Sequence, residues 1–332
     1  MNQFENKPSV SLIMPCLNEE SFIENAIKSL INDYFRENCE LIIVDGMSKD
    51  GTRNIIQSLM NRGLPIKLID NSNTLQVFGI NKGIQASNGN IIVRTDAHCL
   101  YPPNYIRNCV SLLNSTGATN AGGVMLPQGQ HSVQNAIALA MQHPVGVGDA
   151  KFHLGNFKGY VDTVFLGTFR KKTLDEIGLF DVKAHPNEDA ELNLRLLKAN
   201  KKIYLDSSIK VTYFPRETLK DLGIQYFKYG QGRCYTVLKH KKITSLRQVL
   251  PVALVLLLAV TIISSIFYPL FLIIPLLYIV SLLSTAFLSW SNRNIPFKER
   301  FLMGVAWGVM HICWGFGFLS NFFYKRSPRH TR

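Results

Sequence analysis

The chain has 332 residues, with 36 Lys and Arg against 23 Asp and Glu and a formal net charge of +13. That length allows two domains, and because the basic residues form no long stripe with interleaved aromatics, nucleic acid is set aside as a partner. The six cysteines form no C-x-x-C pair, which argues against a zinc site or a disulfide framework and fits a reducing compartment.

The first strand is expected at Val10-Ser11-Leu12-Ile13-Met14-Pro15, a buried apolar run stopped by proline. A loop through Leu17-Asn18-Glu19-Glu20 then opens a helix whose apolar stripe is Ile23, Ala26, Ile27 and Leu30. Leu41-Ile42-Ile43-Val44 reads as the second strand, ending at Asp45, and a helix through Ile55, Ile56 and Leu59 follows. Ile66-Lys67-Leu68-Ile69 reads as the third strand, with a helix over Val77–Ala86 behind it. Asn88-Gly89-Asn90 is a turn signal, and the β-branched run after it predicts a strand that ends at Arg94-Thr95-Asp96-Ala97-His98.

Alternating strands and helices predict an α/β fold with a mostly parallel, right-handed, doubly wound sheet. In such a sheet the carboxyl ends of the strands share one ligand-binding rim. Asp45, Asp96 and the pair Asn18 and Glu19 each follow a strand end and are expected on that rim. In an extended segment residues i and i+2 face the same side, so Asp96 and His98 could reach one ion, the plainer reading being an Asp and a His in a surface turn. A carboxylate with an imidazole suits Mn²⁺ well and Mg²⁺ tolerably, with phosphate oxygens filling the other positions. No G-x-G-x-x-G follows the first strand and no G-x-x-x-x-G-K-[ST] occurs, so neither a dinucleotide fingerprint nor a P-loop is present.

Pro15-Cys16-Leu17-Asn18-Glu19, Val44-Asp45-Gly46-Met47-Ser48-Lys49-Asp50-Gly51-Thr52 and Asp96-Ala97-His98, in that order, resemble family 2 glycosyltransferases. Leu166-Gly167-Thr168-Phe169-Arg170 and Gly178-Leu179-Phe180-Asp181 resemble the acceptor-side segment of that family, and Asn187-Glu188-Asp189-Ala190-Glu191 its Glu-Asp motif. Asp96 to Pro103 and Val161-Asp162-Thr163-Val164-Phe165-Leu166-Gly167 bring the likeness closer to membrane-anchored transferases of exopolysaccharide assembly, the succinoglycan type. The sequence departs from the family pattern at three points. Gly46 replaces a second acid, His98 takes the last place of Asp-x-Asp, and Ile80 stands where an Arg often precedes Asn81.

The resemblance implies a GT-A fold and an inverting transferase that uses a nucleotide-sugar donor, a UDP-sugar by the leaning of the family. Pro15, Asn18, Glu19, Asp45 and Asp96 would bind that donor, and Asp96 and His98 would hold Mn²⁺ or Mg²⁺ as a Lewis acid for the leaving diphosphate. The other reading of His98 is a hydrogen bond to Asp96 or to phosphate from outside the ligand set. His98 must be neutral to coordinate, so metal affinity is expected to fall with pH.

Glu188, Asp189 and Glu191 sit in the first turn of a helix, where carboxylates also simply complement the helix dipole. Matched to the Glu-Asp motif, Asp189 is the expected general base, with Glu188 orienting the loop or an acceptor hydroxyl. Tyr229-Gly230-Gln231-Gly232-Arg233 partly matches a late family motif, which assigns Gln231 and Arg233 to the acceptor or the diphosphate. Ordinary interfacial anchoring is the alternative for that amphipathic segment. The Gly-rich stretch from His143 to His153 is expected to be a mobile acceptor lid.

No charged residue occurs from Val249 to Trp290, and a second apolar run spans Phe301 to Tyr324. Val249–Phe267, Leu270–Trp290 and Phe301–Tyr324 are expected as three membrane segments, the last of open topology. Met1 to Ser9 is polar with no apolar leader, so the soluble part is expected in the cytoplasm. The expected organisation is a cytoplasmic GT-A domain over 1–240 with interfacial helices at 217–247, a membrane domain over 249–324 at the cell membrane, and a basic tail over 325–332. The implied partners are the nucleotide-sugar donor, a lipid-linked saccharide acceptor, the membrane and polysaccharide-assembly proteins. The alternatives are transfer directly onto polyprenyl phosphate and a non-catalytic membrane scaffold.

Overall fold

A computed structural model describes residues 9–243, 245–290 and 294–324. Arg293 and the basic tail over 325–332 lie outside the described residues. The strands are β1 (Val10–Cys16), β2 (Cys39–Asp45), β3 (Ile66–Asp70), β4 (Ile91–Arg94), β5 (Cys99–Leu100), β6 (Asn120–Pro127), β7 (Lys158–Tyr160), β8 (Phe165–Arg170) and β9 (Ile203–Tyr213). The helices are α1 (Ile23–Leu30), α2 (Asp33–Asn38), α3 (Thr52–Asn61), α4 (Gln76–Gln85), α5 (Tyr105–Thr116), α6 (Ser132–Ala140), α7 (Pro144–Val147), α8 (Lys151–Leu154), α9 (Lys171–Ile177), α10 (Glu188–Lys198), α11 (Leu219–His240), α12 (Leu250–Ser264), α13 (Ile273–Leu288) and α14 (Phe297–Tyr324).

The chain divides into two compact units. The first holds the described residues through Leu126, then Leu154–Val182 and Glu188–Tyr213. The second holds Pro127–His153, Lys183–Asn187 and the described residues from Phe214 onward. The division therefore differs from the expected split at 240 and 249. Residues 127–153 and α11 belong with the C-terminal helices.

In the first unit the strands run in the order β3-β2-β1-β4-β8-β6-β9-β5, and β7 pairs with β9. β3, β2, β1 and β4 pair in parallel, each reached by a helical crossover. Beyond β4 the sheet changes character, because β8 pairs antiparallel with both β4 and β6. The expectation of a mostly parallel sheet thus holds only for the N-terminal half. Antiparallel pairs need no crossover helix, so the βαβ rhythm read from the sequence stops at β4.

Pro15 also departs from expectation, since β1 continues through it and pairs Pro15 with Val44 of β2. Hydrogen bonds alternate sides along a strand, and the Ile13 carbonyl faces β4 by accepting from the Thr95 backbone at 2.9 Å. The missing donor of Pro15 falls on that same side, where the β1–β4 pairing has already ended at Arg94. One face of the sheet buries Ile13, Ile42, Val44 and Ile92 against Ile80 and Ile84 of α4, Leu174 of α9 and Leu192 and Leu196 of α10. Ile80 is only 1 % exposed in this core, so no polar side chain replaces the missing Arg there.

The second unit is helical. α11 and α14 pack so closely that a Cβ on Gly230 would meet the Trp314 carbonyl and one on Gly317 the Phe227 carbonyl. Residues 143–149 do not form a free lid. The Trp307 indole donates to the Ala140 carbonyl at 3.2 Å, His311 Nε2 lies 2.6 Å from the Val145 carbonyl, and Arg247 pairs with Asp149 at 2.9 Å. This segment is glued to α14 because Gly146 packs flat on Trp307 and Met310.

Among the described residues two helices are long and apolar enough to cross a membrane, Pro269–Leu288 and Phe297–Phe323. The first of the three expected segments falls short, because α12 has 15 residues. At 1.5 Å per residue it reaches about 22 Å, less than the ~30 Å of a hydrocarbon core. The chain leaves helix after Ser264 and restarts at Pro269, a proline at the start of a short 3₁₀ turn.

Candidate active site

The geometry around Asp45, Asp96 and Asp189 lies in the first unit. β2 ends in Asp45, an acidic residue that is fully buried. Its carboxylate accepts from the Ser48 hydroxyl at 2.5 Å, from the Ser48 backbone at 3.1 Å and from Arg53 Nη1 at 2.6 Å. Arg53 reaches across to Asp70 at 2.8 Å and so ties the ends of β2 and β3 together. Burying a carboxylate is tolerable only with such partners.

Asn18 and Glu19, after β1, are bound to the loop after β2. The Asn18 backbone donates to Ser48 Oγ at 2.8 Å, and its side-chain oxygen accepts from the Lys49 backbone at 2.8 Å. The Glu19 backbone donates to Thr52 Oγ1 at 2.7 Å. Asn18 takes a left-handed conformation with φ 55°, which Asn tolerates better than most residues. Pro15 is buried inside β1 beside this junction. The Cys16 thiol also lies here, and burial first, then Asp45 and Glu19, pushes its pKa up, so it stays a neutral thiol.

β4 ends in Arg94, and Asp96 follows two residues on. The Asp96 backbone amide donates to the Tyr101 hydroxyl at 2.6 Å, and that hydroxyl donates back to the Asp96 carbonyl at 2.9 Å. This closed loop fixes the direction in which the Asp96 carboxylate leaves the strand. Gln76 from α4 touches that carboxylate at 3.4 Å. His98 Nδ1 lies 4.0 Å from Asp96 Oδ1 and only 3.1 Å from Glu19 Oε1. The His98 ring also meets the edge of Tyr213 at 5.2 Å between centroids.

Asp96 and His98 are thus neighbours, as their spacing suggested, and Glu19 joins them. Among the described residues no three His, Cys, Asp or Glu side chains gather as a metal cage. A carboxylate with one imidazole still fits a hard divalent cation that takes its other oxygens from a diphosphate and water, the usual habit of Mg²⁺.

The three first-turn acids of α10 separate clearly. Glu191 is fully buried and bound by Arg195 at 2.9 Å, and Arg195 also donates to the carbonyls of Ile177, Gly178 and Leu179. Glu188 is 2 % exposed and lies 3.7 Å from Arg94 Nη2. Asp189 pairs with Arg94 Nη1, yet its side chain keeps 45 % of its surface open. Crowding by protein raises the Asp189 pKa, Arg94 opposes that rise, and Glu188 adds to it. Burial works against the charge of Arg94, but Asp189, Glu188 and Asp96 together raise its pKa above that of a free guanidinium.

Gln231 and Arg233 lie in the second unit, on α11. Gln231 Nε2 donates to Ser320 Oγ at 3.2 Å and its carbonyl accepts from Asn321 at 3.0 Å, so this residue is engaged with α14. Arg233 is half-buried on the same helix. The sequence reading missed Arg94, Arg53 and Ser48. The one available signal was a cation closing the apolar run Ile91-Ile92-Val93, where an unpaired charge is costly.

The family described as "Glycosyl transferase family 2" matches residues 11–178, just over half of the chain. The chain is 30% identical over 309 residues to the "Succinoglycan biosynthesis protein ExoA" of Rhizobium meliloti (strain 1021), across 92% of this chain and 93% of that protein. It is 27% identical over 233 residues to the "Dolichyl N-acetyl-alpha-D-glucosaminyl phosphate 3-beta-D-2,3-diacetamido-2,3-dideoxy-beta-D-glucuronosyltransferase" of Methanococcus voltae, across 68% of this chain and 72% of that one. A solved mannosyltransferase from Pyrobaculum calidifontis, in complex with GDP-Man and Mn²⁺, shares the fold with a TM-score of 0.59. That likeness spans 97% of this chain and 89% of that one at 16% identity. The α/β domain has the GT-A fold, and the chain belongs to glycosyl transferase family 2.

Proposed function

We propose that the protein is an inverting, metal-dependent hexosyltransferase that moves a sugar from a nucleotide-diphospho-sugar, a UDP-sugar by the leaning of its family, to a lipid-linked saccharide. The observation that carries this reading is the state of Asp189. It is the one first-turn acid of α10 with an open carboxylate, and it is paired to the end of the strand that leads into Asp96. Asp189 takes the proton of the acceptor hydroxyl as that oxygen bonds to the anomeric carbon. The bond from that carbon to the diphosphate breaks on the opposite face, and the nucleoside diphosphate leaves with the electron pair. Configuration at the anomeric carbon inverts.

Asp96 and His98 would hold Mn²⁺ or Mg²⁺, which supplies Lewis-acid stabilisation of the leaving diphosphate when bound. Pro15, Asn18, Glu19 and Asp45 shape the nucleoside side of the site, Glu188 orients the acceptor side, and Gln231 and Arg233 serve the acceptor or diphosphate. A lipid-linked acceptor is favoured by the relative from Methanococcus voltae, whose name describes transfer to a sugar on dolichyl phosphate. It is also favoured by the exposed apolar side chains of α12 and α13, among them Val260, Ile263, Leu276 and Leu277. An exposed apolar surface of this kind belongs in lipid. The protein is read as a multi-pass protein of the cell membrane with its transferase unit on the cytoplasmic face, working beside polysaccharide-assembly proteins.

The test is nucleotide release from a panel of UDP- and GDP-sugars by the detergent-solubilised chain with Mn²⁺ or Mg²⁺. Metal-dependent release that Asp96→Ala abolishes supports the reading and names the donor. Product from extracted lipid-linked saccharide, and none from polyprenyl phosphate alone, supports the acceptor class. Product from polyprenyl phosphate alone replaces it with the simpler lipid acceptor.

A further inference from the structure

We infer that Arg94 is a positioning residue for the reaction, its guanidinium holding the Asp189 carboxylate and the buried Glu188 at the carboxyl end of β4. The inference rests on the reading of Asp189 as the base and extends it to a residue that no sequence motif singled out.

Three observations support it. First, Arg94 is almost wholly buried, at 7 % side-chain exposure, and its ion-pair partners are both on α10. Burying a guanidinium is costly, and this one meets two carboxylates, Asp189 at Nη1 and Glu188 3.7 Å from Nη2, while its buried Nε has no hydrogen-bond partner. Second, α10 has other anchors. Arg195 ties the helix to three carbonyls over 177–179, and Asn193 bridges Asn120 at 2.8 Å and Thr163 at 2.9 Å. The grip of Arg94 falls on the carboxylates at the mouth of the helix. Third, Arg94 pairs with Ile13 at the last parallel register of β4 and stands two residues before Asp96. The residue that holds the base is therefore built into the strand that aims the donor-side carboxylate, on rigid backbone rather than on a loop.

The charged groups facing Asp189 are Arg94, Glu188 and Asp96. The two carboxylates favour a protonated Asp189, and the guanidinium is the one cation among them. A flat fork can serve two carboxylates at once, which a lysine ammonium does less well. Removal of Arg94 should leave Asp189 both misdirected and protonated further up in pH.

The test uses the full detergent-solubilised chain and four variants: Arg94→Gln, Arg94→Lys, Asp189→Asn and the double variant Arg94→Gln with Asp189→Asn. The first readout needs no substrate. Protein labelled with ¹³C-aspartate is titrated by infrared spectroscopy, and the Asp189 band is isolated by subtracting the Asp189→Asn spectrum. The Asp189 midpoint is expected to rise in Arg94→Gln and to fall back part of the way in Arg94→Lys. An unchanged midpoint in Arg94→Gln overturns the inference. Should Arg94→Gln fail to fold, Arg94→Lys alone decides, with a raised midpoint expected and an unmoved one overturning it.

The second readout is turnover with the nucleotide sugar selected above. Arg94→Gln is expected to lower kcat about 100-fold, the scale of a lost general base, while donor KM stays within about 3-fold. In the Asp189→Asn background the same change should cost little more, because a residue that acts through another is not additive with it. A full additive loss there overturns the inference. Asp189→Asn with near-normal turnover removes the base reading instead, and the infrared midpoint still reports on Arg94 by itself.

Discussion

Glu19 Oε1 lies 3.1 Å from His98 Nδ1, closer than the Asp96 carboxylate at 4.0 Å. When Nδ1 carries the proton and donates it to Glu19, Nε2 holds the lone pair that a cation would use. A carboxylate behind a ligating imidazole orients the ring and raises its basicity, and its loss weakens metal affinity about 10–100-fold. Glu19→Gln is therefore expected to weaken Mn²⁺ binding by about 10-fold, measured by electron paramagnetic resonance of free Mn²⁺. Asp96→Ala should weaken it more. Equal Mn²⁺ affinity in Glu19→Gln and wild type would mean that Glu19 does not act through His98.

With Asp189 as the proposed base, the pH dependence of turnover is expected to follow its titration. Its pKa lies above the ordinary carboxylate value because crowding and Glu188 disfavour its charge more than Arg94 favours it. A base works only when ionised, so activity is lost as pH falls through that raised value and is present above it. The acidic limb of kcat/KM should then sit above the range of an unperturbed aspartate. Asp189→Asn should lower kcat by about 10²–10⁴-fold and abolish the limb. A limb that persists in Asp189→Asn assigns the titration to another group.

The N-terminal half was legible because each parallel strand sits between amphipathic helices, and the stripe Ile23, Ala26, Ile27 and Leu30 is the buried face of α1. The antiparallel half was not, because β5 has two residues, β7 has three, and the β6–β8 register shifts between Ala121 and Gly123. No local period survives such short and irregular pieces. Around the site, the i, i+2 spacing anticipated that Asp96 and His98 lie side by side, 4.0 Å apart at Oδ1 and Nδ1. The sorting of Glu188, Asp189 and Glu191 was not legible, because it depends on Arg94 and Arg195, and Arg94 is brought to α10 only by the tertiary fold. The uncharged run from Val249 announced apolar helices, but not that the first would stop after 15 residues.

Asp45 offers a test of donor-side construction. Its buried carboxylate is balanced chiefly by Arg53, which is itself 38 % exposed and shared with Asp70. Arg53→Gln leaves Asp45 with Ser48 and the long contact from the Cys16 thiol at 3.7 Å, and is expected to destabilise the protein by about 1–3 kcal/mol, the scale of an undersatisfied buried charge. Nucleotide affinity should fall with it, since the loop over 46–52 hangs from the same carboxylate. Thermal melting with and without UDP separates the two effects. An unchanged melting temperature would show that Ser48 and Cys16 are sufficient for Asp45.

Two glycines of α14 should respond oppositely to alanine. In a helix interior, alanine is favoured over glycine by about 1 kcal/mol, so a neutral site gains stability on substitution. At Gly308 the new Cβ would sit 3.6 Å from Leu282 Cδ1, an ordinary contact. At Gly317 it would run into the Phe227 backbone, and neither helix can yield there without breaking the seam that Gly230 also makes with Trp314. Overpacking of that kind costs about 1–3 kcal/mol, which outweighs the gain in propensity. Gly308→Ala is thus expected to melt at or slightly above wild type and Gly317→Ala several degrees below it, followed by circular dichroism of the detergent-solubilised chain. A Gly317→Ala protein as stable as wild type would mean that α11 and α14 are held by something other than this close backbone approach.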